Sequence, residues 1–530
     1  MGVATWPGAA GAEDLKPLPH PIGAPDSAVA AARPASSAGA SPWTPLANQP
    51  GLFNGASSPI LLTDGTVLVQ DTGFPDWWRL TPDETGSYVN GTWAPVASLP
   101  AGYSPLYHSS AVLPDGRLII EGGEYLLSDD HSAFVGAETA QGAIYDPVAD
   151  TWTPVEPPPF FNSGFLPQTI GDAQSVVLAN GVYMQANCCT TESALLDART
   201  LTWRPTGQGK RDVNSEEGWT LLPGGNVLTV DAYVFGYDVL GMASELYDWR
   251  TGTWSSAGST IVQLWDSAAA CIALVPPSDE VGPGVLRPDG TVFYAGANRC
   301  GAGHTAIYDS RTGRWRAGPD FPDAVSIADG PAALETNGKV LMMASPFFVA
   351  PSEFFEWDGR RLAPVAAPPR APFDASFFGN MLVLPTGQIL LTDFSNDVEI
   401  FTPGSAGHDH GDREHDRDRV DPPEIVDVPT RLARGGSYIL RGRGLNGVSQ
   451  GAAYGDDAQS ATNYPLVRIT NSRTGHVFYS RTHDHSSMAV ASNELVHTRF
   501  DVPRSQERGR STLEVVANGI ASCAIPVFVE

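Results

Sequence analysis

The sequence predicts an all-β protein in which a seven-bladed β-propeller is followed by a smaller β-sandwich. Three observations carry this prediction. Two-residue turns between apolar runs recur at spacings of roughly 45 to 65 residues, the range of propeller blades. A strand-like segment with a tryptophan follows most of these turns. From residue 422 onward the repeat stops, and short alternating strands typical of a sandwich take its place.

The stretch from Leu106 to Tyr125 is the clearest hairpin, because an Asp-Gly turn separates two apolar strands in it. Such a dipeptide between apolar runs is the strongest short-range hairpin signal. The same pattern occurs seven times, with turns at Asp64-Gly65, Asp115-Gly116, Asn180-Gly181, Gly224-Gly225, Asp289-Gly290, Asn337-Gly338 and Thr386-Gly387.

The last predicted blade has three strands and ends after Thr402, without the usual fourth strand. Trp43, near the start of the chain, lies in a segment whose sequence matches the tryptophan-containing fourth strand of the other blades. We therefore expect the N-terminal strand to complete the last blade and close the ring, which leaves no open sheet edge. The predicted regions are an Ala/Pro-rich leader (1–40), the propeller (41–404), a charged linker rich in His and Asp (405–421) and the sandwich (422–530).

The composition limits the partners of the protein. The 530 residues include 55 Gly, 45 Pro and three lysines, and the formal net charge is −27. Such an acidic protein repels phosphate backbones and anionic membranes and attracts cations. We expect a monomer that takes a small-molecule or carbohydrate substrate, and neither nucleic acid nor a membrane as partner.

The cysteines and the chain start bear on the compartment. Cys188 and Cys189 are interpreted as packed thiols, with a vicinal disulfide as the alternative. A pair between Cys271 and Cys300 would indicate an oxidising compartment. The start of the sequence has no signal-peptide pattern. We expect either a secreted protein whose signal is absent from this sequence, or a cytoplasmic one.

Polar residues recur where the first strand of each blade begins, which in a propeller is the mouth of the central channel. Counting back eight positions from each turn gives Tyr107, Asp172, Glu216, Asp329 and Phe378, with His108 and Glu217 next to two of them, and the start of blade five offers Asp266. Carboxylates at turns commonly cap backbone amides. Several of them facing one cavity would instead bind a cation or act as acid and base.

The sandwich supplies a second candidate, the run Thr482-His483-Asp484-His485. It lies between two strand-like segments and is predicted to be the tip of a hairpin. Histidines two apart point to the same face of a strand, a spacing that suits a metal, whereas the alternative is an ordinary surface turn. We expect this tip and the mouth residues to form one site, with His483, His485, His108 and Glu217 as metal ligands.

The repeats resemble Kelch blades, and a Kelch propeller followed by a sandwich with a Thr-His hairpin resembles the galactose oxidase and glyoxal oxidase group. The similarity covers Trp43 to Glu530 and extends to bacterial Kelch proteins. The resemblance implies a hairpin pushed along the propeller axis, with His483 as a copper ligand. The group's crosslinked cysteine and tyrosine correspond here to Tyr107 and Asp172, and its Tyr-His pair to Phe378-Gly379. Copper-radical chemistry is therefore not expected.

Three classes of function remain open. The first is an enzyme that acts on a polyol, sugar or related metabolite at the mouth, assisted by a divalent metal. Mixed imidazole and carboxylate ligands suit Zn, Mn or Fe, with Ca as a further option and Cu less favoured. The second is a copper alcohol or aldehyde oxidase with rearranged ligands. The third is a non-catalytic glycan- or protein-binding propeller, with Trp77-Trp78 in the contact surface.

Overall fold

The structure, a computed structural model, describes residues 41–128, 131–161, 168–232, 242–265, 280–298, 301–404, 420–455 and 460–530. In these ranges the regular elements are β-strands, apart from a 3₁₀ turn at Ser376–Phe378. They contain no helix long and apolar enough to cross a membrane. The predicted leader, nearly all of the charged linker, Asp266 and the Cys271–Cys300 pair lie outside the described residues.

All seven predicted hairpins form, and the all-β propeller is confirmed. The second glycine or sole glycine of each turn has a φ between 79° and 92°, a region that side chains with a Cβ rarely occupy. The residue before the glycine often holds the turn with its own side chain. Asp64 Oδ1 accepts a hydrogen bond from the Thr66 amide at 3.0 Å, and Asn180 Oδ1 accepts one from the Val182 amide at 3.1 Å.

The blades follow one another along the chain as six four-stranded sheets and one five-stranded sheet. Blades one to three are β2–β5 (Ala56–Leu61, Val67–Asp71, Trp77–Thr81, Thr92–Pro95), then β7, β8, β11 and β12 (Ser109–Val112, Leu118–Glu121, Gly142–Asp146, Thr151–Val155), then β13–β16 (Ser175–Val177, Tyr183–Ala186, Ser193–Asp197, Thr202–Thr206). A small sheet of β6, β9 and β10 (Pro105–Leu106, Tyr125–Leu127, Phe134–Gly136) accompanies blade two.

Blades four and five are β17–β20 (Thr220–Leu221, Val227–Val230, Ala243–Asp248, Thr253–Ser259) and β21–β24 (Val281–Leu286, Thr291–Gly296, Thr305–Asp309, Arg314–Ala317). Blade six is β25–β28 (Pro331–Leu334, Val340–Ala344, Glu353–Trp357, Leu362–Val365) with β35 (Ala452–Tyr454) added beside β25. Blade seven is β29–β31 (Asn380–Val383, Ile389–Thr392, Glu399–Phe401) with β1 (Trp43–Pro45).

A cross-strand aromatic pair recurs between the third and fourth strands of the blades. Tyr145 lies opposite Trp152 with ring centroids 5.0 Å apart, and Tyr308 lies opposite Trp315 at 5.1 Å. Such pairs stabilise adjacent strands beyond the burial of their surface. This contact explains why a tryptophan recurs in the fourth strand of most blades; in blade six Leu362 takes its place.

The N-terminal strand β1 completes blade seven. Trp43 lies opposite Phe401, as the other outer-strand tryptophans lie opposite their partners, and its ring also contacts Phe354 at 5.0 Å. Its indole Nε1 donates a hydrogen bond to the Ala366 carbonyl at 2.6 Å. The segment that follows continues the closure, since the Leu46 amide donates to the Val398 carbonyl at 3.1 Å.

The C-terminal strands form a second β-domain with one shared core. They are β32–β34 (Glu424–Asp427, Arg431–Leu432, Ser437–Arg443) and β36–β41 (Leu466–Asn471, Val477–His483, Val496–Asp501, Gly509–Ala517, Ile520–Ala521, Ile525–Val529). Strand β37 pairs with β36 through its first half and with β38 through its last three residues, so it passes from one layer to the other. Leu440 and Phe500 of one layer share a core with Val467 and Val515 of the other. An immunoglobulin-like topology stays a prediction.

One segment of this domain, here called the finger (residues 447–455 and 460–463), lies along the central channel of the propeller. Its strand β35 pairs antiparallel with the inner strand β25 of blade six. Gln450 Oε1 accepts a hydrogen bond from the Leu221 amide of blade four at 2.7 Å. Ser460 Oγ donates to the Pro59 carbonyl of blade one at 3.3 Å. The finger thus contacts the inner strands of three blades.

Candidate functional site

Three carboxylates from successive blades converge where the inner strands begin, the end of the propeller that we call the mouth. Glu216 precedes β17 of blade four, Glu280 directly precedes β21 of blade five, and Asp329 precedes β25 of blade six. One oxygen of each lies within 4.8 Å of the other two. We call these residues the acidic triad. Two of its members were predicted from the sequence.

Backbone conformation positions two of the triad residues. Glu216 has a φ of 57° and Asp329 a φ of 44°, in the left-handed region that is unfavourable for residues with a Cβ. Tyr107 has the same conformation at the start of blade two, with a φ of 53°. Strained residues of this kind persist where surrounding structure fixes them, and they cluster at functional sites.

Glu280 was not predicted from the sequence, and Asp266, the residue proposed for blade five, lies outside the described residues. Counting back eight positions from the Asp289 turn reaches Val281, one residue too far along the chain. The pairing of β21 with β22 contains a register shift between Val281 and Gly284, where a β-bulge adds residues to one strand. The two glycines of the run Val281-Gly282-Pro283-Gly284 are the signal that could have indicated this bulge.

The finger packs directly against the triad. A Cβ built on Gly455 would lie 2.3 Å from Asp329 Oδ1, so only glycine fits at this contact. Gly218, two residues after Glu216, faces the same backbone, because its Cβ would lie 2.6 Å from the Gly455 carbonyl oxygen. Tyr454 anchors the finger by donating its hydroxyl to the Phe377 carbonyl at 2.7 Å. The finger therefore forms one wall of the acidic mouth.

Glu217 does not join the triad but lies in a separate buried cluster around Lys210. The Lys210 ammonium lies 2.9 Å from both Glu217 and Glu245 and also contacts Asp212. Burial raises the pKa of Glu217 well above its usual range, with repulsion from Asp212 as a further cause. Burial alone would lower the pKa of Lys210, but the surrounding carboxylates, Glu217 first, raise it well above its usual value. Glu217 forms a close group of carboxylates with Asp212 and Asp231, but the Lys210 ammonium supplies the neutralising charge there. Its predicted roles as a base and metal ligand at the mouth do not match this placement.

His108 and Tyr107 also have local partners. His108 is fully buried, its Nε2 lies 3.0 Å from Gln70 Oε1, and burial lowers its pKa to about 4. Tyr107 is buried against Tyr125 and Phe394, each with ring centroids 6.0 Å away. Among the described residues, His108 belongs to no close group of His, Cys, Asp and Glu ligands.

Asp172, the candidate from blade three, is buried just before β13, and the close group formed by the triad does not include it. Trp77, proposed as a contact residue for partners, is fully buried and packs against Trp152 with ring centroids 5.6 Å apart.

The histidine hairpin lies at the opposite end of the propeller, where the turns between first and second strands are found. The His485 amide donates to the Pro114 carbonyl in the turn of blade two at 3.0 Å, and the Thr482 amide donates to the Thr63 carbonyl in the turn of blade one at 3.1 Å. The expectation that this hairpin and the mouth residues form one site is therefore wrong. The segment that reaches the mouth is the finger, which carries no histidine.

Both hairpin histidines are held by neighbours in the sandwich. His483 lies between two aspartates, with Nδ1 3.1 Å from Asp484 Oδ2 and Nε2 3.3 Å from Asp501 Oδ2. His485 is buried with Nδ1 2.9 Å from Thr498 Oγ1, and burial lowers its pKa to about 3.

The residues at the mouth do not fit a copper-radical centre. The start of blade seven presents Phe378 and Gly379, and a side chain at Gly379 would clash with Met343 Sδ at 2.4 Å. No described histidine belongs to a close ligand group. The triad offers only carboxylate oxygens, the donors that hard cations such as Ca²⁺, Mg²⁺ and Mn²⁺ prefer.

Cys188 and Cys189 are joined in a disulfide, so their interpretation as packed thiols is wrong.

The blades and the mouth together define a propeller protein with a carboxylate site, and comparisons with known proteins agree on its repeats. The Kelch-like protein terF of Aspergillus terreus is 27% identical over 139 residues, which make up 26% of this chain and 26% of that protein. The similarity therefore spans about a quarter of the relative's length. No known family profile matches the chain.

Solved structures with similar folds are distant in sequence. A fungal alcohol oxidase of the AA5 family, solved in complex with copper, is 14% identical, with a TM-score of 0.49 over 92% of this chain and 99% of that one. Virginiamycin B lyase from Staphylococcus aureus is 8% identical, with a TM-score of 0.43 over 68% of this chain and 99% of the lyase. YCF48 bound to D1 peptide is 11% identical, with a TM-score of 0.43 over 69% and 98%.

Proposed function

We propose that the mouth is the active site of an enzyme that acts on a small hydroxylated molecule, such as a polyol or sugar, with the help of a hard divalent cation. The observation that carries this proposal is the acidic triad, whose three carboxylate oxygens lie within 4.8 Å of one another. Carboxylates this close repel each other unless a cation or shared protons neutralise them. The net charge of −27 further favours a cation.

The three residues would take different parts in the reaction. Glu280 and Asp329 are buried and fixed at the strand ends, so they are the ligands that would hold the cation. Glu216 is half-buried and is the carboxylate most accessible to substrate, so it would accept the proton from a substrate hydroxyl. A bound cation would supply charge that polarises a substrate oxygen. A hydroxylated substrate fits because its oxygens can complete the coordination of such a cation.

The proposal is tested first by cation binding. Mn²⁺ or Ca²⁺ should raise the melting temperature of the parent protein by mass action. Glu280→Gln and Asp329→Asn should each remove the rise. His483→Ala, at the other end of the propeller, is the matched control and should keep it. A rise that survives in both mouth variants would refute the cation site.

Activity is the second arm of the test. The parent protein is incubated with a panel of polyols and sugars plus Mn²⁺, and products are followed by NMR. Glu216→Gln should lower turnover at least about 100-fold while leaving the cation-induced melting shift in place. Turnover that is unchanged in Glu216→Gln would remove this residue from the chemistry. Release of peroxide that depends on copper would favour the alcohol oxidase instead.

A further inference from the structure

Another group of possible metal ligands, with no residue in common with the acidic triad, lies between blades two and three. Glu138 lies between β10 and β11, and Cys188 and Cys189 lie between β14 and β15. One ligand atom of each residue lies within 4.8 Å of the others. The disulfide joins the two cysteines, and Cys188 Sγ lies 3.5 Å from Glu138 Oε2.

The backbone around this group is shaped to bring the carboxylate onto the sulfur atoms. A Cβ on Gly171 would lie 2.2 Å from Glu138 Oε2 and 2.5 Å from Cys188 Sγ, so a larger residue there would separate them. The Cys188 amide donates to the Ile170 carbonyl at 3.0 Å, and the Gly171 amide donates to the Thr139 carbonyl at 3.0 Å. These bonds tie the cysteine loop to the glutamate loop through residues 170–171.

The group is also within reach of solvent. Cys188 is buried, but Cys189 and Glu138 are half-buried. Glu138 lines a cavity of about 590 Å³ between the two blades. A hydrated cation can therefore reach Glu138 from that cavity, and a small reductant can reach the disulfide at the half-buried Cys189.

The chemistry of the three ligands changes with the oxidation state of the cysteines. Thiolates select soft or borderline cations such as Zn²⁺, and a carboxylate oxygen completes many zinc sites. Sulfur atoms joined in a disulfide carry no thiolate charge and do not provide such ligands. We propose that Glu138, Cys188 and Cys189 form a redox-controlled site for Zn²⁺ or a similar cation, absent while the disulfide is intact and created when it is reduced.

The two steps balance without any further reactant. Two molecules of a low-molecular-weight thiol reduce the bond: they become one disulfide, and Cys188 and Cys189 take up two electrons and two protons. Zn²⁺ then displaces the two thiol protons, and no group changes oxidation state in this second step. Because Cys188 Sγ lies beside Glu138, its thiol would donate a hydrogen bond to the carboxylate in the metal-free reduced protein.

The experiment uses the full chain with Cys271, Cys300 and Cys523 changed to serine, so that Cys188 and Cys189 are the remaining cysteines. The protein is reduced anaerobically with a phosphine, freed of reductant and titrated with Zn²⁺ against a chromophoric chelator. Cd²⁺ is titrated in parallel, because thiolate ligands give it an ultraviolet charge-transfer band. We expect the reduced protein to bind one equivalent of either cation more than the oxidised protein does, because any binding at the acidic triad is common to both, and we expect no Cd²⁺ band in the oxidised protein.

Variants separate the site from nonspecific binding. Cys188→Ser with Cys189→Ser should abolish the Cd²⁺ band, and Glu138→Gln should weaken Zn²⁺ binding at least about tenfold. Glu156→Gln is the matched control, since Glu156 lines the same cavity and should leave the affinity unchanged. If the serine background lowers stability, the same comparison is made between the natural sequence and its Cys188→Ser/Cys189→Ser variant.

Four outcomes would overturn the inference. The first two are equal Zn²⁺ affinity in the oxidised and reduced proteins, and retention of the Cd²⁺ band in the variant without Cys188 and Cys189. The third is unchanged Zn²⁺ affinity in Glu138→Gln. The fourth is the presence of free thiols at both positions in protein purified in air, as mapped by alkylation and mass spectrometry.

Discussion

Closure of the propeller by Trp43 can be tested with the substitution Trp43→Ala. Trp43 is 5% exposed, so the change removes about 200 Å² of buried aromatic surface, worth about 5 kcal/mol at about 25 cal/mol per Å². The loss of the indole hydrogen bond to Ala366 adds about 1 kcal/mol. Because the emptied site relaxes in part, we expect a loss of about 4 kcal/mol in the free energy of unfolding.

Hydrogen exchange shows where that loss acts, because an opened ring should expose the amides of β31 in blade seven. Trp203→Ala is the matched control: Trp203 is the half-buried outer-strand tryptophan of blade three, and its Nε1 donates to the Glu156 carbonyl at 2.7 Å. That control should raise exchange within blade three and leave β31 protected. Equally slow amide exchange of β31 in Trp43→Ala and in the parent protein would refute closure by Trp43. Faster exchange of the same strands in both variants would also refute it.

Two further predictions concern buried charge. Lys210→Met should lower the free energy of unfolding in urea by about 3–5 kcal/mol, because Glu217 and Glu245 lose the cation that neutralises them. Lys339→Met, the control at a partly exposed ion pair with Glu356, should cost about 1 kcal/mol. Similar costs for the two substitutions would contradict the structure. Burial, with repulsion from neighbouring aspartates, raises the pKa of Glu399 from 4.5 to about 10. Between pH 4.5 and about 10 the folded chain keeps a proton that the unfolded chain releases, so the free energy of unfolding should fall as the pH rises. Glu399→Gln should make the free energy of unfolding depend less steeply on pH in this range. An unchanged pH dependence would argue against the raised pKa of Glu399.

The sequence was most informative where structure is local. The Asp-Gly and Asn-Gly turns fix their own hairpins through φ values that glycine tolerates, so all seven were recognised. The closing strand was recognisable because blade seven lacked its fourth strand, and the segment around Trp43 has the sequence of such a strand. Counting back eight residues from each turn identified Glu216 and Asp329, because regular strands place equivalent residues of different blades at the same height in the channel.

The misses arise where a residue's surroundings come from distant parts of the chain. In blade five a long insertion led the prediction to Asp266 instead of Glu280. Counting back eight residues would also have missed Glu280 by one position, because the bulge at Val281 adds a residue to the strand. The lysine that holds Glu217 comes from a loop with no repeat pattern. Glu138 meets Cys188 only because two loops fold together.

The finger was overlooked for a different reason. The hairpin at residues 482–485 was predicted to reach the mouth because it contains histidines. The segment that lies in the narrow channel instead contains mainly small residues. Ala452 and Ala453 of β35 are buried against the inner strand of blade six, and Gly455 leaves the room that Asp329 occupies. Shape, rather than reactive side chains, determines which segment reaches the mouth.

The pairing of β1 with β31 also imposes a waiting time during synthesis. Pro45 lies opposite Glu399, so the first strand leaves the ribosome 354 residues before its partner exists. At about 5–20 residues per second, that interval lasts roughly 20–70 s. Throughout it the pairing edge of β1 has no native partner, and until Phe354 is synthesised the Trp43 ring has none of the aromatic neighbours that it contacts in the folded protein. Pairing with another nascent chain would compete in this period. Slowing translation between blades one and seven should therefore lower the yield of soluble protein more than slowing it after residue 404.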